Sequence, residues 1–213
     1  EQSGFINEIG FDTYQKILNE AIEELKEKEF KDLYTDDGKE DEKKVYVKDV
    51  QIDTDFEILI PDDYVNSITE RLALYTKLNE LKTEKELHAF ANELKDRFGD
   101  LPVQVLDLLD SVKMKWIAAQ LGIEKVVIKK NTLIGYFISD QDSSFYQSQR
   151  FQNLLRTIHS NTKGIVMKEK KTRNGLRLLL NFGQTKSIKA ALEKMEGLIN
   201  RNNAKTSKGL VRE

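Results

Sequence analysis

The stretch "DRFGDLPVQVLDLLDSVKMKWIAAQLGI", residues 96–123, is the best-defined piece of secondary structure in this sequence. Gly99 is expected to end one helix in a left-handed conformation. Pro102 is expected at the first position of the next helix, where a missing N–H costs nothing, and Gly122 ends that helix. Apolar residues cover more of this second helix than one stripe would, which predicts a central helix packed by several neighbours. They are Val105, Leu106, Leu109, Val112, Trp116, Ile117 and Leu121.

Two more helices are predicted immediately before this stretch, over about 62–81 and from Thr83 to Phe98. Thr83 and Glu86 have the reciprocal spacing of a capping box at the start of the second of these helices. Each helix has one apolar stripe at three- and four-residue spacing. The stripes are Tyr64, Ile68, Leu72, Tyr75 and Leu78 in the first helix, and Leu87, Phe90, Ala91, Leu94 and Phe98 in the second.

The rest of the domain is predicted to alternate strands and helices. A strand-like segment runs over 45–61, and "KVVIKK" (125–130) and "LIGYFIS" (133–139) are two further strands before a helix around 151–158. "GIVMKEKKTRNGLRLLLNF" (164–182) is a hairpin, because Asn174-Gly175 is a strong two-residue turn signal, and a last helix follows over 187–200. The predicted fold class is α+β, an antiparallel sheet covered by several helices in residues 45–200.

Outside this domain the sequence predicts three other segments. Residues 1–28 contain a separate amphipathic connector helix that begins near Asp12, 29–44 form a flexible acidic linker, and 201–213 form a disordered tail. Residues 1–62 carry 19 acidic and 8 basic side chains, whereas 63–213 carry 17 acidic and 26 basic ones. This asymmetry indicates either a solvated acidic linker before a mildly basic domain, or a molecule whose two ends contact different partners.

Catalytic and metal-binding signatures are absent from the sequence. There is no cysteine, and His88 and His159 have no partner at metal-ligand spacing. No phosphate-binding loop, nucleophile elbow or zinc motif occurs, so the chain is predicted to be neither an enzyme nor a cofactor-binding protein. No apolar run reaches the roughly 18 residues that span a bilayer. A cysteine-free chain of this kind fits a cytoplasmic protein without a membrane partner.

Two sets of charged residues are candidate contact sites. Glu93 and Asp96 lie opposite the apolar stripe of their helix, and they form either an ordinary solvated face or a surface that attracts a basic partner. The hairpin carries Lys168, Lys170, Lys171 and Arg173. These side chains could contact nucleic acid, but no aromatic residue lies between Lys163 and Leu180 to stack on bases. Lysines also protect an exposed strand edge from aggregation, and that interpretation is favoured.

Three stretches carry a family resemblance: "EQSGFINEIGFDTY" (1–14), "IPDDYVNSITERLALYTKL" (60–78) and the stretch quoted first. Together they resemble the C-terminal region of the bacterial transcription-repair coupling factors, the Mfd family. These are ATP-driven double-stranded DNA translocases that push RNA polymerase off lesions and recruit UvrA. The resemblance implies that residues 1–28 hold the end of the translocation motif, and that the ATP and Mg of the motor bind elsewhere.

The resemblance also implies a role for the domain. In the family the C-terminal domain folds back on an N-terminal UvrB-like module, masks its UvrA-binding surface and restrains the motor. Glu93 and Asp96 then become candidate contacts for arginines of that module. The expected partners are the UvrB-like module directly, and UvrA, RNA polymerase and double-stranded DNA indirectly. The alternative function is a nucleic-acid-binding module that uses the basic hairpin 163–177.

Overall fold

The computed structural model describes residues 44–161, 164–172 and 175–209. The predicted connector helix at 12–28 and almost all of the predicted linker at 29–44 lie outside these ranges. The secondary-structure elements, in chain order, are β1 (Gln51–Thr54), α1 (Ile68–Glu80), α2 (Glu84–Phe98), α3 (Val103–Gln120), β2 (Ile123–Lys129), β3 (Thr132–Phe137), a 3-10 helix (Ser144–Gln147), α4 (Gln149–Asn161), β4 (Val166–Thr172), β5 (Gly175–Gln184) and α5 (Ile188–Gly209).

The five strands form one sheet in the order β1-β2-β3-β5-β4. The pairs β2–β3, β3–β5 and β4–β5 are antiparallel, whereas β1 pairs with β2 in parallel. The predicted α+β class is therefore confirmed, with one short parallel strand at the edge of an otherwise antiparallel sheet. The predicted hairpin is also present, since Thr172 pairs with Gly175.

The first three helices pack around a core that we call the helical cluster. Its buried members are Ile60, Val65, Leu74, Leu78, Leu87, Phe90, Leu94, Val105, Leu108 and Leu109. Local signals set the helix ends. Ser67 caps α1 by accepting a hydrogen bond from the Glu70 N–H, and Thr83 and Glu86 form the predicted capping box of α2. Gly99 ends α2, as predicted, and its φ of 91° lies in a region that favours glycine; its ψ of −162° differs from the left-handed helical conformation that was expected.

The predicted inner face of α1 is partly wrong. The helix begins at Ile68 instead of about 62, and Ile68 and Leu72 are 68% and 62% exposed. The buried residues of the helix are Leu74 and Leu78. Leu78 was predicted and Leu74 was not. Because Ile68 and Leu72 have helical spacing too, periodicity alone could not show that they face away from the core.

The central helix α3 also differs from the prediction in detail. Pro102 is the N-cap residue, with extended backbone angles, and Val103 is the first helical residue. Leu106 is 47% exposed and does not belong to the core, whereas Met114 is fully buried. Val105, Leu108 and Leu109 of this helix pack in the helical cluster.

The second half of α3 packs in a different core, the sheet cluster, which lies between one face of the sheet and the helices α3, α4 and α5. Its fully buried members include Met114, Ala118, Ile123, Val126, Ile128, Leu133, Phe137, Phe145, Leu180, Ile188 and Met195. Because α3 contributes to both clusters, it joins the helical part of the domain to the sheet. The last helix continues to Gly209, past its predicted end near residue 200. No proline or glycine interrupts 201–208, so part of the predicted disordered tail is helical.

Candidate interaction surface

The helices α1 and α2 are linked by ion pairs around Glu93. Lys77 of α1 donates a hydrogen bond to the Glu93 carboxylate, and Arg97 bonds to Glu70 of α1. An Arg97 Nη1 also lies 3.6 Å from a Glu93 carboxylate oxygen. The hydrogen bond from Lys77 is the main reason that the pKa of Glu93 lies below its ordinary value. Glu93 is thus a partly buried member of a charge network and not the freely exposed residue that the sequence predicted.

Asp96 lies one turn further along α2 and is exposed, as predicted. Within the described ranges it has no ion-pair or hydrogen-bond partner. The neighbouring Lys95 instead contacts Asp100, with 3.1 Å between its Nζ and a carboxylate oxygen. The structure therefore separates the two predicted residues, because Asp96 is available to a partner and Glu93 is already paired.

The end of α2 that carries Asp96 is held in place by Tyr64. The Tyr64 hydroxyl donates toward the carbonyl oxygens of Leu94 and Gly99, both at 3.0 Å. Burial raises the pKa of this tyrosine, with a smaller contribution from Asp100. The Tyr64 ring packs edge-on against Phe98 at 5.7 Å between ring centroids. These contacts of Tyr64 hold the helix end on which Asp96 lies.

The predicted basic residues of the hairpin lie on β4, at the edge of the sheet. Lys168, Lys170 and Lys171 are exposed, and Arg173 lies outside the described residues. Side chains alternate between the two faces of a strand, so Lys168 and Lys170 share one face and Lys171 points to the other. Lys168 pairs across the strands with Leu179, and Lys170 pairs with Arg177. The hairpin lysines therefore do not form a single continuous basic surface.

Sequence reasoning missed Tyr136 on β3, which lies beside this hairpin in the sheet. Tyr136 pairs with Leu179 of β5 and with Lys125 of β2. Its ring contacts the Arg177 guanidinium at 5.2 Å. The alternating pattern of "TLIGYF" predicts the face on which Tyr136 lies, but its neighbours follow only from the order of the strands.

Chemical sites are scarce in this domain. In residues 44–158 and the described residues after them, no group of three or more His, Cys, Asp or Glu side chains is arranged to hold a metal ion. Among the described residues, no helix has both the length and the apolar character that crossing a membrane requires. Asp107 and Asp110 of α3 are half-buried, and burial raises their pKa values. The candidate functional features of the described residues are therefore groups of surface side chains.

The fold and these surfaces define an α+β domain in which a braced helical part is joined to a five-stranded sheet through one shared helix. Residues 54–148 match the model of the TRCF domain family. A solved structure of the C-terminal domain of transcription-repair coupling factor has the same fold, with a TM-score of 0.53 and 18% sequence identity. It covers 74% of this chain, and the chain covers 96% of it.

Curated relatives agree with this match. The transcription-repair-coupling factor of Escherichia coli is 33% identical over 129 residues, which are 59% of this chain and 10% of the relative. That of Rickettsia typhi is 31% identical over 144 residues, 68% of this chain and 12% of the relative. The chain thus spans only about a tenth of the length of these relatives. Residues 54–148 thus match a TRCF domain, and the resemblance to the C-terminal region of transcription-repair coupling factors is confirmed.

Proposed function

We propose that this domain is the regulatory interaction domain of a DNA-translocating transcription-repair coupling factor. In this proposal it binds the N-terminal UvrB-like module, masks the UvrA-binding surface of that module and restrains the ATP-driven motor. The TRCF match and the resemblance of 1–14, 60–78 and 96–123 to the family support the assignment. ATP, Mg, RNA polymerase and double-stranded DNA would be handled by other parts of such a protein. The proposal implies a cytoplasmic location and no catalytic activity in this domain.

The exposed carboxylate of Asp96 on a braced pair of helices is the observation that carries the proposal. A surface that must hold a partner in register benefits from side chains that lose little freedom on binding. The pairs Lys77–Glu93 and Arg97–Glu70 tie α1 to α2, and Tyr64 fixes the end of α2. Asp96 projects from this rigid base into solvent. A basic patch on the UvrB-like module would be attracted to it over a long range and oriented by it.

Glu93 has a second role in this proposal, because it positions its neighbours. Its carboxylate holds Lys77 and lies close to Arg97, which in turn reaches Glu70. An arginine of the partner would have to share Glu93 with these cations, so Glu93 contributes less to binding than Asp96 does. Asp96 is therefore the direct contact, and Glu93 supports the surface from which Asp96 projects.

A binding titration tests the role of Asp96. The 213-residue chain is titrated with a purified UvrB-like module of a transcription-repair coupling factor, and the Asp96→Arg variant is compared with it. We expect the variant to bind at least about tenfold more weakly, since reversal at an interface replaces attraction by repulsion. Glu80→Arg is the matched control, because Glu80 is exposed at the end of α1 and has no ion-pair partner within the described ranges. Equal affinity of the two variants would contradict the assignment of Asp96.

The alternative function, a nucleic-acid-binding module that uses the hairpin 163–177, has less support. Lys171 points away from Lys168 and Lys170, and Tyr136 is the one aromatic residue among the described strand residues on the face that these two share. A gel-shift measurement on duplex DNA distinguishes the alternatives. Clear binding at low salt that falls steeply as salt is added would favour the nucleic-acid module.

A further inference from the structure

The two faces of the sheet are packed very differently. One face carries Val126, Ile128, Leu133, Phe137 and Leu180, which are fully buried in the sheet cluster. The opposite face, which we call the open face, carries four apolar side chains at its centre. They are Val127, Ile134 and Tyr136, which are half-buried, and Leu179, which is 6% exposed; none of them belongs to the sheet cluster or to the helical cluster. No described helix packs on these side chains as part of either hydrophobic cluster.

Strand register arranges the open face into rows. Lys125, Tyr136, Leu179 and Lys168 lie side by side on β2, β3, β5 and β4. The adjacent row contains Val127, Ile134, Asn181 and Val166. The apolar centre is thus flanked by lysines on β2 and on β4. Three inter-strand steps separate these two flanks, which corresponds to about 14 Å.

The two flanks differ in net charge. On the β2 side, Asp53 contacts Lys129 at 2.6 Å and Lys125 at 3.8 Å, so much of that positive charge is balanced. Arg177, between the flanks, bonds to Glu124. On the β4 side, Lys168 and Lys170 are exposed and form no ion pair within the described part of the chain. The open face is therefore an apolar strip with an uncompensated positive edge.

The width and the charge of this strip indicate which kind of molecule could bind there, an α-helix or a single-stranded nucleic acid. An α-helix with its side chains is roughly 10–12 Å across, so one helix fits between two flanks that are about 14 Å apart. Single-stranded nucleic acid fits less well, because stacking of successive bases needs several aromatic rings. Tyr136 is the single aromatic residue in the rows above, and Arg177 already lies over its ring.

We propose that the open face binds an acidic amphipathic helix of a partner protein. The apolar stripe of that helix packs on Val127, Ile134 and Tyr136. Its carboxylates lie along β4, within reach of Lys168 and Lys170. This surface is distinct from the end of α2 that carries Asp96, so the inference does not depend on the proposed function.

Fluorescence anisotropy with designed peptides tests the proposal on the whole 213-residue chain. The probe is a labelled helical peptide of about 18 residues, with a leucine stripe flanked by glutamates. A second peptide has lysines in place of the glutamates, and labelled oligothymidine is the third probe. We expect the glutamate peptide to bind, to weaken as salt screens the charges, and to bind better than the lysine peptide.

The matched variants lie on the same strand. Lys168→Glu combined with Lys170→Glu should weaken binding of the glutamate peptide about tenfold, since two attractive pairs become repulsive. Lys171→Glu adds negative charge on the other face and should leave binding unchanged. Circular dichroism confirms that each variant is folded.

Three results would overturn the proposal. The first is failure of the glutamate peptide to bind, and the second is equal loss of its binding in the Lys171→Glu variant. The third is oligothymidine binding that the double variant abolishes while the glutamate peptide stays unbound. That result would assign the open face to nucleic acid.

Discussion

Glu93 and Asp96 are three residues apart on α2, yet their carboxylates differ in how available they are to a binding partner. Glu93 sits on the side of the helix that faces α1, where Lys77 reaches it. Asp96 sits on the outer side and is exposed. The sequence predicted that both acidic residues lie opposite the apolar stripe. A helical projection gives the direction of each side chain around the helix axis, but it does not show which neighbouring helix lies in that direction. The position of Lys77 relative to Glu93 depends on how α1 packs, and no local pattern contains that information.

The ion pair at Glu93 makes a pH-dependent contribution to stability. Its pKa is lowered in the folded chain, so the pair stabilises the fold above the ordinary value of 4.5 and the contribution is lost as the pH falls through the lowered value. Glu93→Gln should reduce the free energy of unfolding by roughly 0.5 kcal/mol near pH 7, typical of a partly exposed pair, and by less at a pH well below the ordinary value of 4.5.

Urea denaturation of both chains at the two pH values measures this difference. The unfolded fraction at each urea concentration gives the free energy, and the comparison of the two chains cancels the effects of other carboxylates. A loss of stability in Glu93→Gln that is the same at both pH values would show that the carboxylate charge is not involved.

At the scale of the elements, the helix ends that carry a capping signal were predictable, whereas the start of α1, the end of α5 and the orientation of α1 were not. Thr83 with Glu86, and Gly99, are signals that act over three or four residues, and all of them stand where the sequence placed them. The inner face of α1 was wrong at Ile68 and Leu72, which are exposed, although Tyr75 and Leu78 of the same predicted stripe do pack in the helical cluster. The parallel pairing of β1 with β2 joins residues more than 70 positions apart, as Gln51 with Lys125 shows. Contacts of that kind follow from packing of the whole chain.

Alanine substitution of two glycines at helix ends tests the cost of backbone strain and the cost of a steric overlap in the core. Gly99 and Gly122 both have positive φ, 91° and 73°. A Cβ on Gly99 would meet nothing within 4 Å, whereas a Cβ on Gly122 would overlap the Phe145 ring. Gly99→Ala should therefore cost about 1–3 kcal/mol from backbone strain alone. Gly122→Ala should cost about 1–3 kcal/mol more, because the ring must move within a packed core.

Thermal and urea denaturation of the two alanine variants measure these costs. Backbone strain alone accounts for about 1–3 kcal/mol at either position, so a larger loss in Gly122→Ala measures the steric effect of Phe145. If Gly122→Ala costs no more than backbone strain, the contact between Gly122 and Phe145 does not limit stability.

At the scale of the whole molecule, α3 couples the helical cluster to the sheet cluster. Leu109 belongs to the first and Met114 to the second, and one helix without a break carries both. Replacing either by alanine should cost about 2–5 kcal/mol. Leu106→Ala is the matched control, because Leu106 is exposed on the same helix, and it should change stability by no more than about 0.5 kcal/mol.

The fluorescence of Trp116 reports on coupling between the two clusters. Trp116 packs against the helical cluster and is the sole tryptophan of the sequence. If α3 makes one cooperative unit, Met114→Ala will lower the midpoint of Trp116 fluorescence and of far-UV circular dichroism equally. A Trp116 midpoint that stays at its original value in Met114→Ala would show that the helical cluster unfolds independently.

The proposed masking role predicts competition between this chain and UvrA for the same surface. The most direct measurement is the amount of UvrA captured by an immobilised UvrB-like module as the concentration of the chain is raised. The account predicts that the chain displaces UvrA, and that Asp96→Arg requires a concentration at least about tenfold higher to do so. If the chain binds the module while UvrA capture stays constant, the domain does not mask the UvrA site and the central claim is contradicted.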